Sequence, residues 1–211
     1  MRCSYFTDEL IDAIANTPKV CKYIDIPLQH IANTVLLAMN RPPRASTEAL
    51  LRKLRARIPG LALRTTFIAG FPGEREEDHQ ELVSFCREFR FERMGAFTFS
   101  EEEGTPAGAY PEQLDPSVRQ ARRDELVSLQ QDVCVGFAES RVGQVVQVLV
   151  DSIDAEGVYI GRTSLEAPDV DPVVFLHDAG LPGVAKLAVG QLRSCLIDSC
   201  SLFDLTAHPV E

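Results

Sequence analysis

Apolar positions in the first 140 residues alternate between two periods. In "FTDELIDAIANTP" Leu10, Ile11 and Ile14 share one helical face, with Thr7 as N-cap and acids in the first turn. "KYIDIPL" reads as a strand, and "ANTVLLAMN" as a helix stopped by Arg41-Pro42-Pro43. "STEALLRKLRARIPG" is a further helix, ended by Pro59-Gly60. A strand over 62–68, rich in β-branched and aromatic residues, precedes a helix over about 76–90 and a strand "GAFTFS". Asp115 caps a long helix that Pro116 opens and that runs to about Ser140.

After Gly143 the period shortens to two. "QVVQVLVDSI", "VYIGRT", "PVVFLHD", "LRSCLIDS" and "LFDLTAHPV" read as five short strands, separated by turns such as Asp154-Ala155-Glu156-Gly157. The pattern predicts α/β followed by β: a β/α region over 1–140 and a small OB-like β-barrel over 141–211. Three strands fall well short of a closed (β/α) barrel, which takes about 250 residues. The first region therefore reads as the later part of a larger barrel.

A hydrophobic content of 45% excludes a chain disordered by composition. No apolar run reaches membrane-span length and no signal-peptide pattern opens the chain, so a cytoplasmic protein is the default expectation. The net charge of −10 is uneven. Residues 141–211 carry 4 Lys and Arg against 10 Asp and Glu, more than half of the excess in a third of the length. Such a barrel suits a basic protein better than a phosphate backbone, whose affinity comes from Lys and Arg. Cys3, Cys21, Cys86, Cys134, Cys195 and Cys200 are scattered, mostly in apolar segments. Cys195 and Cys200 are the closest pair, without a third ligand nearby, so no metal site is expected.

Three strand ends carry candidate chemistry: Pro27-Leu28-Gln29-His30, the "GFPGE" stretch from Gly70 to Glu74, and Gly104-Thr105-Pro106-Ala107. Parallel strands would bring all three to one rim, where α/β proteins bind ligands. Taken singly, each also reads as plain turn chemistry, and His30 as a surface histidine.

"CKYIDIPLQH", "RTTFIAGFPGE", "FTFSEEEGTPA" and "VGQVVQVLVDSIDAEGVYIGRT" together resemble the radical S-adenosylmethionine methylthiotransferases, the last being similar to their TRAM domain. The resemblance spans nearly the whole chain. It implies the C-terminal part of a radical-SAM partial barrel over 1–140 and a TRAM barrel over 141–211. His30 and Glu102 or Glu103, with the acidic barrel, favour the branch that adds a methylthio group to the β-carbon of an aspartate in a basic small-subunit ribosomal protein. The tRNA-modifying branch, and an adaptor that only grips a basic protein, are the alternatives.

The resemblance also implies roles. Arg64 would pair with the S-adenosylmethionine carboxylate, although it also reads as an ordinary strand-end arginine. Leu28 and Gln29 would lie near the ribose or methionine part. Gly70, Phe71 and Gly73 would approach adenine through backbone, and Phe97 and Phe99 would wall the site. Asp154, Glu156, Glu166, Asp169 and Asp171 are expected to cluster as the surface that binds the basic protein, or else to form a solvated rim.

The family's [4Fe–4S] cluster is held by Cys-x3-Cys-x2-Cys, a spacing absent from this sequence. No catalytic or metal-binding residue is therefore assigned. The chain reads as a C-terminal half, whether truncated gene product, split subunit or cut piece, that needs a separate N-terminal half for activity.

Overall fold

The computed structural model describes residues 6–177 and 186–210. Cys3 and Asp178 lie outside the described residues. The chain divides into two units, 1–133 and 134–211.

In the first unit, α1 (Asp8–Asn16), α2 (Asn33–Ala38), α3 (Arg44–Arg57) and α4 (Glu76–Phe89) alternate with β1 (Tyr23–Asp25), β2 (Ala62–Ala69) and β3 (Arg93–Thr98). The helix α5 (Pro116–Glu139) follows and carries the chain across the division. Local signals act as the sequence suggests. Thr7 accepts from the Leu10 N–H at 3.2 Å, and Asp115 Oδ1 from the Ser117 N–H at 2.8 Å. α3 begins two residues early, at Arg44, with Pro43 as its N-cap and Asn33 Oδ1 accepting from the Arg44 N–H at 2.9 Å.

The three strands form a parallel sheet in the order β1-β2-β3, so their carboxyl ends do share one rim. Alternation along β2 splits the sheet into two unlike faces. Leu63, Phe67 and Ala69 join Ile24 and Ala96 in a core with Ile11, Leu51, Leu54, Leu82, Val83 and Leu126 from the helices. Arg64, Thr66 and Ile68 point the other way and are only half-buried. Beside Ile68 on that bare face stands Phe97, 62% exposed.

The second unit holds β4 (Val145–Ile153), β5 (Tyr159–Arg162), β6 (Val174–Leu176), β7 (Leu192–Ser201) and β8 (Asp204–Pro209). They close into a barrel in the order β4-β5-β6-β8-β7, antiparallel except for β6 with β8. Closure removes sheet edges. Val148, Val150, Val174, Leu176, Ile197, Leu205 and Ala207 fill its interior. No described helix is long and apolar enough to cross a membrane.

At Gly161, in β5, the neighbouring strand β4 comes too close to admit a side chain. A Cβ there would run into the Leu149 carbonyl oxygen and meet Val148 Cγ1 at 2.8 Å. Gly161→Ala should lower stability by about 1–3 kcal/mol, the usual penalty of overpacking. Thermal melts followed by circular dichroism would check this; an unchanged midpoint would refute it.

Candidate functional site

The rim is organised by one buried carboxylate. Glu74, 3% exposed, ends the Gly-Phe-Pro-Gly turn and folds back into it. Its Oε2 accepts from the N–H groups of Gly70 at 2.7 Å and Phe71 at 3.1 Å. Its Oε1 accepts from Arg122 Nη1 at 2.9 Å, and Arg122 also donates to the Glu74 carbonyl at 3.0 Å. Burial pushes the Glu74 carboxyl above the ordinary range, opposed by the Arg122 charge and the two N–H donors. Two histidines face it. His79 Nδ1 stands 3.9 Å from Oε1 while its Nε2 meets Glu125 at 2.8 Å, and His30 Nε2 stands 3.6 Å from Oε2.

His30 is therefore not the surface histidine that is one reading of its loop: it is 0% exposed and accepts the Ala32 N–H on Nδ1 at 3.1 Å. Burial drives its pKa down to about 4, so the ring is neutral.

Between the strand ends lies a pocket of about 380 Å³. Phe71 and Phe99 meet edge-on at 5.2 Å, Tyr110 stands 6.2 Å from Phe71, and Gln29, Asn40 and Arg41 supply polar groups. Gln29 holds a left-handed φ of 72°, costly for a residue with a Cβ. Backbone pairing fixes it there: its N–H donates to Thr66 O and its carbonyl accepts from Ile68 N–H, both at 2.8 Å. The same pocket's Thr105 and Pro106 also wall a second concavity of about 630 Å³ with Glu101, Glu102 and Glu103.

Of the residues assigned to the cofactor, Gln29, Phe71 and Phe99 come together here. The others do not. Leu28 is 8% exposed and packs in the core, facing away from the pocket. The N–H groups of Gly70 and Phe71 are held by Glu74, and that of Gly73 donates to the Glu112 carbonyl at 3.1 Å, so none is available to adenine. Arg64 lies six residues before Gly70, roughly 20 Å along an extended strand. It sits on the bare sheet face with Phe97, its guanidinium 3.5 Å from Asp25.

The barrel acids also separate. Asp154 and Glu156 occupy the turn before β5, whereas Asp169 and Asp171 follow β5, at its opposite end, so they form no single cluster. Glu166 is not a surface acid: it is 7% exposed, paired with buried Arg141 and accepting from the Thr163 N–H at 2.9 Å. Asp154 accepts from Glu156 and Val158 N–H groups within its own turn. Asp171 caps Ala167 at 2.8 Å. Glu156 and Asp169 are left exposed.

Buried Cys86 and Cys195 do not fit an iron–sulfur cluster. Burial raises the Cys86 thiol to about 12 and Cys195 to about 11, whereas ligation needs thiolates. Among the described residues no group of three or more His, Cys, Asp or Glu could hold a metal ion.

Sequence reasoning passed over Glu74, Arg119, Arg122 and Tyr110. Glu74 looks like one more acid before a helix, and the two arginines like a solvated face of α5. The only signal was their i,i+3 spacing, which puts both on one side of the helix.

His30 gives a pH signature. Its pKa falls from the usual 6.5 to about 4 on folding, so its contribution is complete above pH 6.5 and is lost as the pH drops toward 4. The loss amounts to about 3 kcal/mol. Glu74, raised on folding, works the other way, gaining stability as the pH falls. His30→Asn, which can still accept from Ala32, should flatten the wild-type decline between pH 6.5 and 4 in urea titrations. Parallel curves for the two proteins would contradict it.

A family profile described as TRAM domain matches residues 142–210. Curated relatives named "Ribosomal protein uS12 methylthiotransferase RimO" match most of the chain. That of Desulforamulus reducens is 45% identical over 80% of this chain and 39% of its own. Those of Pelotomaculum thermopropionicum and Heliobacterium modesticaldum are 44% and 46% identical over 98% and 99% of this chain, and 46% and 44% of theirs. The archaeal Methanocaldococcus infernus Elp3 structure aligns with a TM-score of 0.47 and 17% identity over 62% of this chain and 31% of its own, too slight a likeness to argue from. The chain spans under half the length of the curated relatives it matches, and over most of its own length it is similar to the RimO methylthiotransferases.

Proposed function

We propose that this chain supplies two parts of a methylthiotransferase: a strand-end pocket for S-adenosylmethionine and an acidic barrel that holds a Lys/Arg-rich ribosomal protein. The pocket carries the first part of the reading. Its volume and three aromatic rings suit a nucleoside, and its polar groups sit at the carboxyl ends of parallel strands. A parallel sheet with helices on one face and a bare opposite face is what a segment of a (β/α) barrel presents. Residues 1–140 would be that segment and 141–211 the TRAM barrel.

S-adenosylmethionine, when bound, would supply the methyl group and the adenosyl fragment used by the family. Phe71, Phe99 and Tyr110 would enclose its flat base and Gln29 would orient it. With no Cys-x3-Cys-x2-Cys spacing in the sequence and no metal-holding group among the described residues, reductive cleavage is assigned to residues elsewhere. By the relatives' name the substrate is ribosomal protein uS12, and an aspartate β-carbon is the proposed acceptor.

Charge favours a protein partner over tRNA. Two of the barrel's four cations are neutralised internally, Arg141 by Glu166 and Arg162 by Asp151. Exposed Glu156 and Asp169 add to a field that repels phosphates and attracts lysines.

Two measurements test the two parts. Equilibrium dialysis of the chain against labelled S-adenosylmethionine should show saturable binding, weakened about tenfold by Phe99→Ala through loss of ring packing. No binding, or binding indifferent to Phe99, would remove the pocket assignment. The basic ribosomal protein should bind the chain more tightly than tRNA, and less so as salt shortens the Debye length from about 10 Å at 0.1 M to about 3 Å at 1 M. Glu156→Gln with Asp169→Asn should slow association more than it speeds dissociation. Tighter binding to tRNA would return the tRNA-modifying branch to first place.

A further inference from the structure

Arg119, in the first turn of α5, is the point where three segments of the rim are tied together. It is only 7% exposed. Its Nε donates to the Leu114 carbonyl at 2.8 Å and its Nη1 to the Phe99 carbonyl at 3.2 Å. Its Nη2 donates to Gln113 Oε1 at 3.1 Å and to the Glu101 carboxylate. The guanidinium also stands 5.5 Å from the centre of the Phe99 ring. A planar fork with five donors can serve acceptors in these separate directions at once, and a lysine ammonium cannot.

The other end of the side chain is equally constrained. Gly70 has φ +75°, and a Cβ there would run into Arg119 Cγ and stand 2.9 Å from its Cβ. The turn after β2 is thus built around the arginine stem, while the segment after β3 is built around its head. Arg119 is not among the residues that line the pocket. It reaches the pocket through Phe99, whose backbone and ring it holds, and through Gly70, which leads into Phe71.

We infer that Arg119 is the positioning residue of the pocket: it fixes Phe99 against Phe71 and so presets the aromatic wall, with Tyr110 on its far side, for a flat heteroaromatic ligand. Where that ligand is named as S-adenosylmethionine, the inference rests on the reading above. The geometry of the wall does not. Without the fork, the Phe99 carbonyl and Glu101 lose their anchor, and the rings re-pack before any ligand arrives.

Fluorine NMR of the 211-residue chain carrying 3-fluorotyrosine tests the two claims separately. The sequence has four tyrosines, and Tyr110→Phe identifies the Tyr110 resonance by its disappearance. In Arg119→Met without ligand, the Tyr110 resonance should shift or broaden while that of Tyr159, in the barrel, stays put. Arg119→Lys should not restore it. Ile58→Val, a destabilising change in the buried core, should leave the Tyr110 resonance where it was. Gly70→Ala, whose new Cβ would strike the side-chain stem that Arg119→Met retains, should also move it. Binding of S-adenosylmethionine should weaken at least about tenfold in Arg119→Met, as expected when a contact group is displaced by about 1 Å. An unmoved Tyr110 resonance in Arg119→Met, or an equal shift in Ile58→Val, would overturn the inference. If the wild-type chain binds no S-adenosylmethionine, the cofactor reading fails, and the fluorine spectra alone decide the role of Arg119.

Discussion

A carboxylate removed from water must be satisfied by fixed donors, and at the rim of the parallel sheet that requirement governs everything nearby. Glu74 takes two backbone N–H groups and one guanidinium, and the chain has to supply them. The Gly70–Glu74 stretch turns tightly enough to aim its own N–H groups inward, and α5 lies where Arg122 can reach. Breaking such a pair strands a buried charge, at about 3–5 kcal/mol. The barrel uses the same device independently: Arg141 and Glu166, both buried, pin the segment after β5 through Thr163. In each unit a buried Arg–Glu pair sets the shape of a loop, and the exposed groups on that loop are free to meet something else.

Much of the fold was legible because it is written in local chemistry. Thr7 and Asp115 cap the helices they precede, and the period-two segments after Gly143 all lie in the barrel wall. The candidate site was legible at the level of the loop. The Gly-Phe-Pro-Gly turn, Gln29 and Phe99 do converge. What the sequence did not carry was which groups the protein itself already holds. A glycine signals that something comes close, without saying what, and at Gly70 the close neighbour is the protein's own Arg119. Leu28 alternates into the core because Gln29, one residue on, is held in the left-handed region. The arginines of α5 become visible as rim residues only when one loop 20 positions back and another 48 positions back are folded against the helix.

Charge was legible in sign but not in place. The barrel is acidic by count, yet its acids do different work: Glu166 inside, Asp154 and Asp171 in turns, Glu156 and Asp169 outward at opposite ends of β5. Composition sums all of these equally. Only topology separates an acid that stabilises its own turn from one that contributes to the outside field.

The strand order of the barrel also has a consequence for how the chain comes off the ribosome. β4 finds its closing partner in β7, with Val145 beside Leu196, and β6 pairs in parallel with β8, the last strand of the chain. The wall therefore cannot shut during synthesis until β8 has been made, because closing such distant pairs must wait for both members. The sheet β1-β2-β3 pairs neighbours in sequence order and can assemble while the barrel strands are still being made. The folding order is vectorial by topology: the strands of the rim can pair first, and the acidic barrel closes only after β8 has been added.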